Sequence, residues 1–198
     1  MRESNEYMAR TIKIGNIGEA FIRRILEWKG WNILKYISNN SDWDCKAELN
    51  GESKTFEGKT QPDFADYGGF SVEVANRWAG NYLSKTPNFH LDGIPCVKTG
   101  LAVTKADYQV FTDGKRIAFF VTTEALKKWF DDVISRNPHK IRWGGYRNRA
   151  LQAQITISEI LEISEFYVSN FAKKGKKSKS ELAIQKALSY IEYNNKNK

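Results

Sequence analysis

The sequence predicts an α/β domain built around a mixed central sheet. Three observations carry the prediction. Apolar residues recur at helical spacing over 11–29, two Asn-Gly or Asp-Gly pairs are flanked by strand-like runs, and the elements follow in the order helix, strands, helix, strand, helix. At 198 residues the chain is long enough for one domain with a real core, with room for an appendage. Its 41% hydrophobic and 13% aromatic content excludes a disordered polypeptide. The formal net charge of +8 favours a polyanionic partner, either nucleic acid or an acidic membrane surface. Charge alone does not choose between them.

Taken in order, the first element is a helix over 11–29, with Ile14, Ile17, Phe21, Ile22, Ile25, Leu26 and Trp28 on its apolar positions and Gly30 at its stop. "WNILKYI" is a short strand. Residues 41–61 form two strands around Asn50-Gly51, and Pro62 to Gly69 reads as a loop. "FSVEVAN" at 70–76 is a strand, and 77–100 shows no clear period and reads mostly as loop. "ADYQVFTDGKRIAFFVT" is a second hairpin turning at Asp113-Gly114. A helix follows over "TTEALKKWFDDVISR", capped by Thr123, then a basic loop entering a last long strand in "IRWGGYRNRALQAQITI". "SEILEISEFYVSNF" reads as a helix behind that strand. Beyond the polar run "AKKGKKSKS", the stripe Ala183, Ile184, Ala187, Leu188 and Ile191 makes the final segment amphipathic, fit to dock on the domain or on a partner.

Cys45 and Cys96 are too few for a disulfide framework and too far apart for a zinc motif, so reduced thiols inside a cell are expected. "MRESNEYMAR" has no apolar signal core, and no apolar run approaches the roughly 20 residues that span a bilayer. The expectation is a soluble, cytoplasmic protein.

The first hairpin carries the chemistry. A two-residue turn at Asn50-Gly51 puts Leu49 opposite Glu52 and, by the same register, Asp44 opposite Glu57 and Asp42 opposite Lys59. Alternation then gives one face Asp42, Asp44, Lys46 and Glu48 with Ser53, Thr55, Glu57 and Lys59; the other holds Trp43, Cys45, Ala47, Leu49 and Phe56. Opposed like charges destabilise a hairpin by roughly 0.2–1 kcal/mol per pair. Splaying of two solvated acids offsets that cost; so does a divalent cation held between them. Both readings stay open at this point.

Asp44, with Glu57-Gly58-Lys59 thirteen residues on, resembles the Asp…(Asp/Glu)-X-Lys signature of the PD-(D/E)XK nuclease superfamily. The upstream "GNIGEAFIRRILEWKGWNIL" is similar to that superfamily's first helix, placing Glu19 at the inward-facing glutamate, as in Holliday-junction-resolvase-like members. "TGLAVTKADYQVF", "RIAFFVTTEALKKW" and "GGYRNRALQAQITI" resemble phage and prokaryotic members. Trp43 stands where a proline is usual, and Gly58 occupies a position more often β-branched.

The resemblance implies a restriction-endonuclease-like core over 1–170, flanked by helices, with a basic linker and C-terminal amphipathic helix over 171–198. It implies Mg2+-dependent hydrolysis of DNA phosphodiester bonds, with Mn2+ as a substitute, by a restriction, homing or branched-DNA-resolving enzyme acting as a homodimer or higher oligomer. Glu19, Asp44, Glu57 and Lys59 would be catalytic, with Asp44, Glu57 and the Gly58 carbonyl on the metal, and with Asp42, Gln61 and Glu73 as further candidates. The plainer readings are a first-turn acid for Glu19, a cross-strand partner of Asp42 for Lys59 and a solvent-facing acid for Glu73. His90 and His139 sit alone, which favours a metal mechanism over a histidine base.

For DNA contact the candidates are Arg77, Arg142, Trp143, Arg147 and Arg149, where basic and aromatic side chains interleave with Tyr146, Trp78 and Tyr82 nearby. Lys173, Lys174, Lys176, Lys177 and Lys179 would add salt-sensitive, sequence-blind affinity, or serve as a solubilising tail. The alternative function is a non-catalytic DNA-binding module that keeps the fold.

Overall fold

The apolar stripe expected over 11–29 belongs to a longer helix, α1 (Arg2–Trp28), which buries Ile22, Ile25 and Leu26. It stops where Gly30 adopts φ +89°, with the Gly30 and Trp31 amides returning to the Glu27 and Leu26 carbonyls. The computed structural model describes residues 2–37, 42–77, 87, 89–145, 149–169 and 178–196.

After α1 come β1 (Asn32–Tyr36), β2 (Cys45–Leu49), β3 (Glu52–Thr60), α2 (Phe64–Tyr67), β4 (Gly69–Arg77), β5 (Phe89–Leu91) and β6 (Ile94–Lys98). The chain continues with β7 (Tyr108–Thr112), β8 (Ile117–Thr122), α3 (Thr123–Arg136), β9 (Ile141–Gly144), β10 (Ala150–Thr156), α4 (Ile157–Ile163), β11 (Phe166–Ser169) and α5 (Lys179–Lys196). The result is the expected mixed α/β fold with helices against the sheet and a helix at the C-terminal end. The central sheet has the order β1-β2-β3-β7-β8-β11, and β3 runs parallel to β7 while its other pairs are antiparallel.

Two hydrophobic clusters lie on the two faces of that sheet. Residues Ala118 and Phe120 of β8 pack with Phe56, Tyr108, Val110 and α1; Ile117, Phe119 and Val121 point the other way into a larger cluster with α3, α4 and α5. A strand buried on both faces reads as a continuous apolar run, which "IAFFV" is.

The larger cluster also receives Phe70, Val72, Val74, Ala153 and Ile155 from a second sheet, ordered β5-β6-β4-β10-β9. This sheet corrects the loop reading of two segments. Residues 77–100 contain the β5–β6 hairpin, turned by Asp92 and Gly93 at φ 51° and 76°, and "IRWG" is strand β9 antiparallel to β10. Three smaller corrections follow. The Pro62–Gly69 stretch holds the short helix α2; the cap of α3 is Thr122, whose hydroxyl accepts from the Ala125 amide; and the segment read as a helix from Ser158 ends as α4 at Ile163 and becomes strand β11 on β8. The final amphipathic helix docks on its own chain, burying Ile184 and Ala187 in the larger cluster. Cys45 and Cys96 are both buried and unbridged. Among the described residues no helix is long and apolar enough to cross a membrane.

Candidate active site

The β2–β3 turn sets the site's geometry. Asn50 and Gly51 both take positive φ, 53° and 83°, the primed turn that matches strand twist, and Leu49 pairs with Glu52 and Cys45 with Phe56 as the register required. Asp44 lies just before β2, at a bend. Its amide donates to the Phe56 carbonyl at 2.9 Å, its carbonyl accepts from the Ile37 amide at 3.0 Å, and its Oδ2 accepts from the Gly58 amide at 2.8 Å. The carboxylate therefore takes a ladder position of β3. Strict alternation fails here: Asp44 leans across β3 instead of standing squarely on the Glu57 face.

Glu57 and Lys59 share one face of β3 and form an ion pair along their own strand. The second Glu57 oxygen, Oε2, accepts from the Thr104 hydroxyl at 2.5 Å and from Gln109 Nε2 at 3.0 Å. The glutamate is 14% exposed and the lysine 36%, so the acid is held inside and the ammonium reaches the surface. Lys59 is thus not the cross-strand partner of Asp42, whose carboxylate pairs with Lys105 at 3.0 Å.

Glu19 approaches from α1 on the opposite face of β3. Its Oε2 accepts from the Tyr36 hydroxyl, and the Arg23 guanidinium covers the Tyr36 ring at 4.5 Å. A gap of about 10 Å³, close to the size of one water, is lined by Glu19, Asp44, Tyr36 and Gly58. Gly58 is therefore the point where the two faces meet: a side chain there would project toward both Asp44 and Glu19.

The charges respond to this layout. Burial raises the Asp44 pKa and the Glu57 charge raises it further, against the Gly58 amide and Lys59. Burial raises Glu19 as well, with Asp44 adding to it and Arg23 opposing. Burial works on Glu57 in the same sense, but the charge and hydrogen bond of Lys59, with Thr104 and Gln109, hold it below the usual carboxylate range. Asp44 is the link, coupled to an acid on either side.

Among the described residues no three or more His, Cys, Asp or Glu side chains converge on one point that would hold a metal. The acids come as two linked pairs. That arrangement does not fit an all-protein cage such as calcium takes. It does fit magnesium, which keeps most of its waters and uses one or two carboxylates.

Glu57 and Lys59 open onto a groove of about 1020 Å³ between β3 and the second sheet, bounded also by Tyr7 and Thr11 of α1. Gln61 lines it and is fixed there, its Oε1 accepting from the Ser71 amide at 3.1 Å. Glu73 lines it too, with Oε1 accepting from Thr99 Oγ1 at 2.8 Å and Asn76 Nδ2 at 3.1 Å. Glu73 belongs to the second sheet and faces the groove, apart from the Asp44 cluster. Arg142 and Trp143 form part of the groove wall; Arg77 stacks on Trp143 at 4.5 Å, and the Arg149 carbonyl accepts from the Arg77 amide. Arg147, Tyr146, Trp78, Tyr82, Lys173, Lys174, Lys176 and Lys177 lie outside the described residues. Lys179 begins α5 and pairs with Asp66 at 2.7 Å.

Sequence reasoning missed Tyr36, Thr104 and Gln109, the groups that hold the acids. Gln109 had a signal: a lone amide, 2% exposed, in the apolar run of β7. A buried side-chain amide needs partners, and its neighbour in parallel register is Glu57.

No protein-family model and no curated protein matches this chain. Among solved structures it is similar to a bacterial homing endonuclease, at 12% identity over 89% of this chain and 94% of that one, with a TM-score of 0.43.

Proposed function

We propose that this chain is a magnesium-dependent DNA endonuclease whose active site is Asp44, Glu57 and Lys59, with Glu19 behind them. One observation carries the reading: a half-buried carboxylate, locked by the Gly58 amide between two other acids, stands beside an ion-paired lysine that reaches a groove of about 1020 Å³. Burying acids side by side is costly unless positive charge relieves them, and the lysine meets only part of that need. The basic balance of +8 suits a phosphate-bearing substrate.

Asp44, Glu57 and the Gly58 carbonyl would hold magnesium, which when bound would supply Lewis-acid polarisation of the scissile phosphate; Mn2+ would substitute. The protein's own groups do the rest. Thr104 and Gln109 fix the rotamer of Glu57, and the Gly58 amide fixes Asp44. Lys59 exchanges its pairing with Glu57 for the developing phosphate charge. Tyr36 orients Glu19 toward the gap it shares with Asp44. In the hydrolysis one water adds its oxygen to phosphorus, the P–O3′ bond breaks, and the leaving oxygen takes up a proton. Cutting both strands of a duplex takes two such centres, so a double-strand product implies a second copy of the chain.

A second reading, a DNA-binding module without catalysis, is favoured by the full engagement of Glu57 and the absence of a three-acid convergence among the described residues. Incubation with supercoiled plasmid and a four-way junction, in Mg2+ and in EDTA, separates the two. The nuclease reading expects cleavage only with metal, falling about 100-fold or more in Lys59→Ala while binding persists. Binding of both substrates with no cleavage under any metal overturns it in favour of the module.

A further inference from the structure

The wall of the groove opposite Lys59 is one face of the second sheet, and its composition is unusual for a surface exposed to water. Over 70–74 and 152–155 the burial of β4 and β10 alternates, beyond a register shift between Leu151 and Gln152: Phe70, Val72, Val74, Ala153 and Ile155 enter the core, while Ser71, Glu73, Gln152 and Gln154 face the groove. A solvated face is ordinarily lysine and glutamate; this one carries neutral amides at its centre. The pairing register aligns them. Arg142 of β9 stands beside Gln152 of β10, and Gln152 beside Glu73 of β4, so guanidinium, amide and carboxylate form one row across three strands.

Each member of the row is free or aimed for recognition. Gln152 makes no side-chain hydrogen bond among the described residues, although it is only half-exposed. Arg142 is exposed on the rim. Glu73 is fixed through Oε1 by Thr99 and Asn76, leaving Oε2. Neighbouring strands lie about 4.8 Å apart, so the row spans about 10 Å, comparable with the roughly 12 Å width of the DNA major groove. Phosphates are sequence-blind and are met by point charges; a guanidinium, an amide and a carboxylate in fixed order are what distinguish guanine, adenine and cytosine edges.

We propose that the Arg142–Gln152–Glu73 row reads base edges in the major groove of duplex DNA, making this sheet the specificity element of the site. The inference rests on the endonuclease reading for its substrate but not for its test. Arg142, a general DNA-contact candidate in the sequence, becomes a base contact, and Gln152 becomes a second reader.

The test is selection of bound duplexes from a randomised library by the full-length chain, in EDTA so that no cleavage is needed. The intact protein should select a preferred sequence. Gln152→Ala and Arg142→Lys should each relax preference at one or two adjacent positions by about 5- to 150-fold, with the salt dependence of binding unchanged. The lysine variant is decisive because it keeps the charge and loses the two-pronged donor. Weakening that is uniform across sequences, or full retention of preference in Arg142→Lys and Gln152→Ala, overturns the proposal. Cleavage without any sequence preference overturns it while leaving the nuclease intact; sequence-selective binding without cleavage does the reverse.

Discussion

Gly58 is the residue on which the two faces of the candidate site depend. A Cβ at this position would lie 2.8 Å from Ile22 Cδ1, 3.7 Å from Asp44 Oδ2 and 3.9 Å from Glu19 Cγ. Read in the sequence, glycine at mid-strand is a weakness. In the structure it is the vacancy that lets a helix acid and a hairpin acid approach one backbone amide. Gly58→Val should therefore lose stability despite the better strand propensity of valine. We expect a loss of about 1–3 kcal/mol in urea unfolding, because the buried Ile22 side chain must be displaced from its place against β3, together with loss of metal-dependent cleavage. Cleavage retained at the parental rate would show that Glu19 and Asp44 need not be neighbours. Lys59 acts through charge: its ammonium pairs with the largely enclosed Glu57, so its replacement should cost stability in urea unfolding at neutral pH as well as turnover.

At the scale of elements, the capping of α4 gives a pH prediction. Thr156 caps the helix, its hydroxyl and amide both donating to Glu159, which also pairs with Lys140. Burial would raise the Glu159 pKa, but Lys140 and the two Thr156 donors hold it below its ordinary 4.5. A depressed carboxylate stabilises the fold above its unfolded value and loses that contribution as pH falls through the folded one. The Tm difference between the parent and Glu159→Gln should be full at pH 6–7 and shrink below about pH 4.5. A difference that stays constant to pH 3 would contradict the assignment. The elements legible in the sequence were those with strong local signals: the stripe of α1, the Asn50-Gly51 turn, the β7–β8 run and the α5 stripe. The elements missed were short. Strand β5 has three residues, too few for alternation to register, although Asp92-Gly93 beside it is a primed-turn pair like Asn50-Gly51. Strand β11 follows α4 after two residues, so its apolar residues extended a helical period. In the site, the Asp-Glu-Lys set was visible because it is local; Tyr36 and Thr104 were not, because only the tertiary fold brings them to it, and Gln109 showed only as a lone amide in an apolar run.

For the molecule as a whole, α5 shows how far the core extends. Ile184 is 1% exposed and belongs to the same cluster as Phe111, Phe119 and Trp129, although it follows a basic segment that reads as a tail. Ile184→Ala should cost about 2–5 kcal/mol in chemical denaturation, with a single transition, since the cluster is shared between both sheets. A separate low-stability transition would mean that α5 folds as a unit of its own. The parallel pairing of β3 with β7 has a broader consequence. The groups that hold Glu57 lie 47 and 52 residues further along the chain than Glu57 itself. A polypeptide emerging from the ribosome thus displays its acids and lysine well before β7 exists to steady them. A truncated translation product ending near Thr60 would carry Glu19, Asp44, Glu57 and Lys59 without the two groups from further along that steady Glu57.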